Sequence, residues 1–205
     1  MRLNRSLKIV ILFCFLNTVI GGAAGCGKDK PPDPSPTPSS PAPATKVHSL
    51  QVNRHVTASL DEARADLILR DASAVLQVRD GPEDMVCPVE LRRAGGVTTF
   101  TIGDGSVNSE ADYKAILALP GQVKVVNQIN WCGGFKANII GCAPTPGSSL
   151  IVVRHALSEE GILWGHEFGH NKGLVHRVET TAMMHEAIGP DRRTINEAEC
   201  RTFQE

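Results

Sequence analysis

The amino-acid sequence predicts an α+β (mixed α/β) domain, and three observations indicate this class. The front half is rich in short apolar, β-branched segments separated by turn residues, a pattern typical of strands. One longer segment within it carries apolar residues at roughly helical spacing, so it is expected to pack one face on a sheet. Helical segments follow in the last third. Strands with one packing helix, followed by helices, favour the α+β class.

The long helix is expected over about 59–79, after a first strand near 47–56. It begins with residues 59–62 (SLDE), a capping-box pattern in which side chains satisfy free backbone N–H groups. The Asp80-Gly81 pair behind it indicates a turn. A second capping-box pattern at 194–197 (TINE) begins a short last helix.

The other elements are shorter. Strands are expected at about 86–91, 97–102, 122–129, 137–142 and 149–154. Helices are expected at about 109–119, where Pro120-Gly121 ends the segment, and from about Ser158 onwards.

The composition and charge of the chain limit the classes of function that it can have. The chain has 205 residues, of which 41% are hydrophobic and 21% charged, enough for one globular domain with flanking segments. Lys plus Arg number 21 and Asp plus Glu 22, a formal net charge of −1. Nucleic-acid binders show a basic excess, and single-strand binders stack bases on aromatic side chains. Since aromatics make up only 4% and the charge is balanced, the composition argues against nucleic acid as a partner.

Residues 1–25 have the pattern of an export signal. Three basic residues precede the apolar run 9–20, which is too short to span a membrane and is followed by small residues. The segment 23–26 (AAGC) resembles the bacterial lipobox, with alanine in place of the usual leucine three residues before the cysteine. The resemblance implies that Cys26 is acylated and becomes the first residue of the mature chain. Ordinary secretion with cleavage nearby is the alternative.

Residues 26–46 are rich in Pro and Ser and lack an apolar pattern, so they are expected to form a disordered tether to a folded domain at 47–205. No second run near 20 apolar residues occurs, so contact with the membrane is expected only through the lipid anchor. The expected location is a bacterial cell envelope, or the extracellular medium. Gly27 after the cysteine, in place of Asp, favours the outer membrane by the sorting rule of bacterial lipoproteins.

Four of the six cysteines lie in the predicted domain: Cys87, Cys132, Cys142 and Cys200. An even number in an oxidising compartment indicates two disulfides, for which three connectivities exist. We favour Cys132–Cys142, which closes a short loop, and Cys87–Cys200, which ties the C-terminus to the front half of the domain. A structural zinc site is the alternative, but no CxxC pair is present.

The stretch from His166 to His176 (HEFGHNKGLVH) fits H-E-x-x-H-x-x-G-x-x-H. Residues four apart share a helix face, so His166 and His170 can present their imidazoles to one metal ion. Gly173 can adopt a left-handed conformation that ends the helix and brings His176 in as the third ligand. Three nitrogens leave the fourth position of Zn²⁺ open, which is typical of a catalytic site. Glu167 is expected close enough to act on a zinc-bound water.

This motif is similar to that of the metzincins, zinc endopeptidases defined by it and by a methionine-bearing turn beneath the metal. The segment 181–184 (TAMM) resembles the turn of the matrix metalloproteinases, which implies that Met184 is the turn methionine and Met183 a core neighbour. The letters HExGHNxG and the stretch 131–143 (WCGGFKANIIGCA) are also similar to the adamalysin-like and bacterial peptidyl-Asp branches. The resemblance implies a twisted sheet with a backing helix, an active-site helix and a short C-terminal helical subdomain.

The resemblance also implies an antiparallel edge strand that forms the upper rim of the cleft and pairs with an extended peptide. The segment 138–143 (NIIGCA) is the candidate for this strand, and the run 150–154 (LIVVR) is the candidate for the buried strand beside it. The alternative is that NIIGCA is another core strand.

Two positions depart from the metzincin branches. Arg177 follows the third histidine where adamalysin-like enzymes have Asp, and Glu186 stands where astacins and serralysins have a transition-state tyrosine. The single tyrosine, Tyr113, is distant in sequence, so oxyanion stabilisation is expected from zinc itself. His185 is expected at the surface. The histidines without ligand-like spacing are expected to be structural: His48, His55 and His155.

These observations predict a zinc-dependent endopeptidase with Zn²⁺ as cofactor, in which Glu167 activates a zinc-bound water that hydrolyses the peptide bond. The expected partner is an extended peptide or protein, and the chain is expected to be a monomer. One alternative is a membrane-anchored surface lipoprotein with a structural zinc, acting as an adhesin or binding module; the intact Glu167 argues against it. The other alternative keeps the hydrolysis but acts on a cell-wall peptide crosslink.

Overall fold

The computed structural model describes residues 44–77, 79 and 85–205. The predicted export signal, the predicted lipidation site Cys26, most of the predicted tether and the predicted Asp80-Gly81 turn lie outside these residues. Within them the fold is mixed α/β, as the sequence predicts. None of the described helices is long and apolar enough to cross a membrane.

The described part of the chain forms four helices: α1 Glu62–Leu76, α2 Glu110–Leu117, α3 Glu160–Asn171 and α4 Glu197–Gln204. It also forms ten strands: β1 Lys46–Leu50, β2 Val52–His55, β3 Val89–Arg93, β4 Thr98–Phe100, β5 Ser106–Val107, β6 Val123–Val126, β7 Gln128–Trp131, β8 Phe135–Ile139, β9 Gly141–Cys142 and β10 Leu150–Val153. The two-residue β5 is too short for the sequence pattern to reveal.

The central sheet has five strands in the order β4-β2-β6-β10-β9. β2 pairs in parallel with β4 and β6, and β6 pairs in parallel with β10. β9 runs antiparallel to β10 at the edge of the sheet, with Gly141 opposite Val152. All four residues of β10 are buried, so this strand has the position that the sequence predicts, beside an edge strand. Two small sheets, β1-β3 and β5-β7-β8, complete the fold.

Three predicted strands are each divided by one residue. The strand near 47–56 breaks at Gln51, whose carbonyl accepts backbone hydrogen bonds, and the strand 122–129 breaks at Asn127, whose N–H donates to the carbonyl of Gly105 (2.8 Å). The segment 137–142 breaks at Ile140. In each case the two halves join different sheets. A run of β-type residues does not record such a change of sheet, because the pattern of a segment indicates a strand but not the strand with which it pairs.

The start of α1 differs from the prediction. The helix begins after Asp61, whose side chain accepts a hydrogen bond from the N–H of Arg64 (2.7 Å), so the predicted capping box at Ser59 is wrong. Asp caps a helix at least as well as Ser, so the competing carboxylate two residues later takes the position. The helix ends at Leu76, three residues earlier than expected.

The start of α4 is also shifted by two residues. Its capping box is formed by Asn196 and Glu199, so the predicted box at 194–197 is wrong. Thr194 cannot cap the helix because its backbone is used elsewhere. Its N–H donates to the carbonyl of Thr181 (2.9 Å), and its carbonyl accepts from the N–H of Met183 (2.9 Å).

The central sheet is covered on both faces. On one face α1 and α3 pack against side chains such as Val52, Val125 and Val152. On the other face Val126 and Ile151 belong to a second apolar cluster that includes residues of α2. Eleven of the twelve residues of α3 are buried. The helix that carries His166, Glu167 and His170 is therefore held by packing on nearly all sides.

A buried ion-pair cluster fixes the beginning of α3. The carboxylate of Glu160 accepts hydrogen bonds from Arg154, directly after β10 (Nε to Oε1, 2.5 Å), and from Arg64 of α1 (Nε to Oε2, 3.1 Å). Both oxygens are paired, and so the cost of burying this carboxylate is offset by charge-assisted hydrogen bonds. The cluster joins three elements at the end of the helix farther from the zinc motif.

The described residues form two disulfides, and both are the predicted pairings. Cys87–Cys200 joins the segment before β3 to α4, with 5.5 Å between the Cα atoms. Cys132–Cys142 joins the end of β7 to β9, with 5.9 Å between the Cα atoms. The first closes a loop across most of the domain and the second clamps a short hairpin.

Candidate active site

The first five residues of the predicted metal-binding motif, His166 to His170, lie on the second half of α3. His166 and His170 are one turn apart on the same face, and their ring centroids are 4.6 Å apart. His166 is buried and His170 is half-buried. Two imidazoles four residues apart therefore point to the same place, as helix geometry requires.

The end of α3 brings in the third histidine. Gly173 has φ +96°, a left-handed conformation that favours glycine. Its N–H donates to the carbonyl of His170 (2.9 Å), and the N–H of Leu174 donates to the carbonyl of Gly169 (3.0 Å), which together form a Schellman motif. The chain reverses there, and the exposed His176 reaches the other two imidazoles.

The three imidazoles converge through their Nε2 atoms. Nε2 of His170 lies 3.1 Å from Nε2 of His166 and 3.1 Å from Nε2 of His176. The Nδ1 of His166 is 2.8 Å from the carbonyl oxygen of Met183, and the Nδ1 of His170 is 2.8 Å from that of Leu174. If both Nδ1 atoms donate to these carbonyls, both Nε2 lone pairs face the centre, an arrangement that is repulsive unless a cation lies between them.

This donor set fits zinc. Zn–N bonds of 2.0–2.1 Å in a tetrahedral site place two ligand nitrogens about 3.3 Å apart, close to the separation here. Burial lowers the pKa of His166 to about 3, and burial is also the main cause that lowers the pKa of His170 and of His176. These shifts favour the neutral form of the rings, which is the form that binds metal. Among the described residues, these three form the group that could hold a metal ion.

The methionine-bearing turn lies directly under α3. Met183 and Met184 are fully buried. A Cβ added to Gly169 would lie 2.5 Å from the sulfur of Met184, and one added to Gly165 would lie 3.2 Å from the sulfur of Met183. The two glycines thus let the turn approach the helix. Met183, expected only as a core neighbour, also supplies the carbonyl that orients His166.

Glu167 points into the same region from α3. Its side chain is 5% exposed, and its Oε2 has no hydrogen-bond partner among the described residues. Burial raises the pKa of this carboxyl to about 8. Desolvation therefore makes this carboxyl group bind a proton more readily than an exposed glutamate does.

A cleft of about 780 Å³ opens above the three histidines. Its floor is α3, and its rim is formed by β8 and β9. Apolar and charged groups share its lining, among them Lys136, Ile139, Gly141, Val175, Glu186 and Ile188. His155, expected to be only structural, also lines the cleft and lies 2.9 Å from a carboxylate oxygen of Glu159. No ligand-like spacing in the sequence marks His155.

Arg177 and Glu186, the two residues that differ from the metzincin branches, have different surroundings. Arg177 pairs with Glu179 and Glu199 on the outside of the turn, whereas Glu186 lines the cleft. Tyr113 packs against Trp131, with 5.3 Å between ring centroids. Burial raises the pKa of Tyr113, and the nearby carboxylate of Glu167 raises it further.

The other histidines lie apart from the triad. The Nε2 of His48 is 2.6 Å from the carbonyl of Phe203, and the Nδ1 of His55 is 2.6 Å from the hydroxyl of Thr57. His185 is half-buried, and its Nδ1 accepts from the N–H of Ala187 (3.0 Å).

The chain matches no protein-family model, and no curated protein matches it in sequence. Among solved structures it is similar to the crystal structure of archaemetzincin from Methanopyrus kandleri. The match covers 80% of this chain and 96% of that chain, with a TM-score of 0.50 and 14% sequence identity. The likeness concerns the fold: both chains share a mixed α/β architecture.

Proposed function

We propose that this protein is a zinc-dependent endopeptidase. The observation that carries the proposal is the convergence of three imidazole nitrogens beside the buried carboxylate of Glu167, at the floor of an open cleft. A purely structural zinc site has no use for a desolvated base and is closed by a fourth protein ligand. The fold similarity to archaemetzincin is consistent with this assignment.

In this proposal His166, His170 and His176 hold the zinc ion. Zinc supplies a Lewis acid that polarises the peptide carbonyl and makes water a stronger acid. Glu167 accepts the proton of the attacking water and delivers it to the leaving amine. The carbonyls of Met183 and Leu174 keep His166 and His170 in the orientation that coordination requires.

The proposed substrate is an extended peptide paired with β9. The N–H of Val153 donates to the carbonyl of Ile140 (2.9 Å), and Val152 stands opposite Gly141. Hydrogen-bonded and non-hydrogen-bonded pairs alternate along an antiparallel ladder, so the N–H and C=O of Gly141 point away from β10. These free groups support the addition of a peptide strand at this edge.

We further propose that the chain is exported, anchored through an acylated Cys26 and monomeric. The support for the anchor is the AAGC segment and the Pro- and Ser-rich stretch after it. In this arrangement the tether presents the cleft to peptides at the cell surface or in the envelope.

Peptide cleavage by the purified protein with one equivalent of zinc tests the proposal. A mixed peptide library is incubated with wild-type protein and with Glu167→Gln, and zinc content is measured for both. Cleavage by the wild type that vanishes in the variant supports an endopeptidase. Stoichiometric zinc without cleavage of any peptide favours the adhesin or binding-module alternative. A cell-wall peptide crosslink is included as a separate substrate. Cleavage of this crosslink alone would favour the alternative in which the substrate is a cell-wall peptide and not a protein.

A further inference from the structure

Backbone geometry does not explain why residue 141, which contacts Glu167, is a glycine. Gly141 is not among the residues with positive φ, so its conformation is open to any amino acid. A Cβ built at Gly141 would instead coincide with the carboxylate of Glu167, since all three of its nearest atoms belong to that side chain and lie under 3.0 Å away. A glycine is needed at this position because Glu167 occupies the space.

The same contact defines one wall around Glu167. The carboxylate is buried, and its Oε2 has no hydrogen-bond partner among the described residues, so packing holds it more than polar contacts do. Its position therefore depends on the position of β9.

β9 is held from two directions. On one side Cys142 is opposite Ile151 of β10. On the other side Cys142 is bonded to Cys132 at the end of β7. The chain between the two cysteines is open to solvent, with residues 135–138 all exposed. The disulfide therefore joins Cys132, before this exposed segment, directly to Cys142, the residue next to Gly141.

We propose that Gly141 is a positioning residue for Glu167 and that the Cys132–Cys142 bond holds it in place. Gly141 leaves room for the carboxylate beneath the rim, and the crosslink keeps the rim at the distance at which the carboxylate faces the cleft. The inference rests on the proposed function for its catalytic consequence, but the contact itself does not depend on activity.

A double-mutant cycle in the metal-free protein tests the contact. Gly141→Ala is expected to lower the thermal midpoint by several degrees in the wild-type background. In a Glu167→Ala background, where the space is empty, the same substitution is expected to lower it by much less. Gly189→Ala is the matched control, because its Cβ would meet nothing closer than 3.6 Å and its φ is not positive. An equal loss in both backgrounds, or no loss in either, would overturn the proposal.

Kinetics test the positioning role. Gly141→Ala is expected to lower kcat at least tenfold with KM within twofold and unchanged zinc content, whereas Gly189→Ala keeps wild-type kcat. The double variant Cys132→Ser/Cys142→Ser is expected to lower kcat in the same direction while it still binds zinc. Wild-type kcat in Gly141→Ala overturns the role of the glycine, and wild-type kcat in the serine variant overturns that of the disulfide. If the wild type cleaves nothing, the endopeptidase proposal fails, and the metal-free cycle still decides whether Gly141 positions Glu167.

Discussion

The floor and the rim of the cleft are built in different ways. The floor is α3 with the turn beneath it, where nearly every residue is buried and carbonyls orient two imidazoles. The rim is β8 and β9, where residues 135–138 are exposed and Phe135 keeps 81% of its surface accessible. One disulfide ties the rim down. Under the proposed function, the reactive groups lie in the buried wall and the peptide contacts lie in the more exposed one.

The largest expected effect comes from the reactive group of the floor. Glu167→Gln removes the proton acceptor but keeps the size of the side chain, so kcat is expected to fall about 10²–10⁴-fold. Zinc content is expected to stay the same, because Glu167 is not part of the histidine group. Peptide hydrolysis and metal analysis on the same sample check this. A variant with more than a tenth of wild-type kcat would exclude Glu167 as the base.

The second prediction concerns the metal ligands of the floor. His170→Ala removes the imidazole that lies between the other two, so zinc affinity is expected to fall by more than about 100-fold, the upper range for loss of an outer contact. His185→Ala is the control, since His185 is close in sequence but outside the group. Competitive titration with a zinc chelator measures both. Equal affinity in the two variants would refute the ligand assignment.

The third prediction addresses the rigidity of the floor. Gly169→Ala pushes a methyl group to 2.5 Å from the sulfur of Met184, and overpacking of this kind costs about 1–3 kcal/mol. Gly165→Ala meets the sulfur of Met183 only at 3.2 Å and is expected to cost less, because the overlap is smaller while both variants gain up to about 1 kcal/mol of helix propensity. Urea unfolding of both variants decides the order. A more stable Gly169→Ala would show that the turn is not tightly packed.

The smallest effects are expected at two exposed charged residues that line the cleft. Lys136 and Glu186 line the cleft and are exposed, and neither forms an ion pair with another described residue. Lys136→Ala is expected to lower kcat/KM about two- to fivefold for acidic peptides, and Glu186→Ala to do so for basic peptides, because exposed charge pairs contribute little. Zinc content serves as the control. If wild type and variants have the same preference between acidic and basic peptides, Lys136 and Glu186 do not contribute to peptide recognition.

The floor could be predicted from the sequence far better than the rim. His166 and His170 are neighbours because of the helical repeat, and Gly173 ends the helix through its own conformation. The rim depends on where the chain changes from one sheet to another, at Ile140, and no local pattern marks that residue. The two capping boxes failed because each segment offers two capping residues: Asp61 competes with Ser59, and Asn196 competes with Thr194, whose backbone is hydrogen-bonded to Thr181 and Met183.

The sequence by itself determined the three histidines, the placement of His166 and His170 on one helix face and the mixed α/β class, because helix periodicity and strand patterns are properties of short segments. Only the tertiary structure decided that the carbonyl of Met183 orients His166 and that Gly141 lies against Glu167. These contacts join residues distant along the chain. They arise from how sheets and helices pack, and short-range patterns carry no record of that packing.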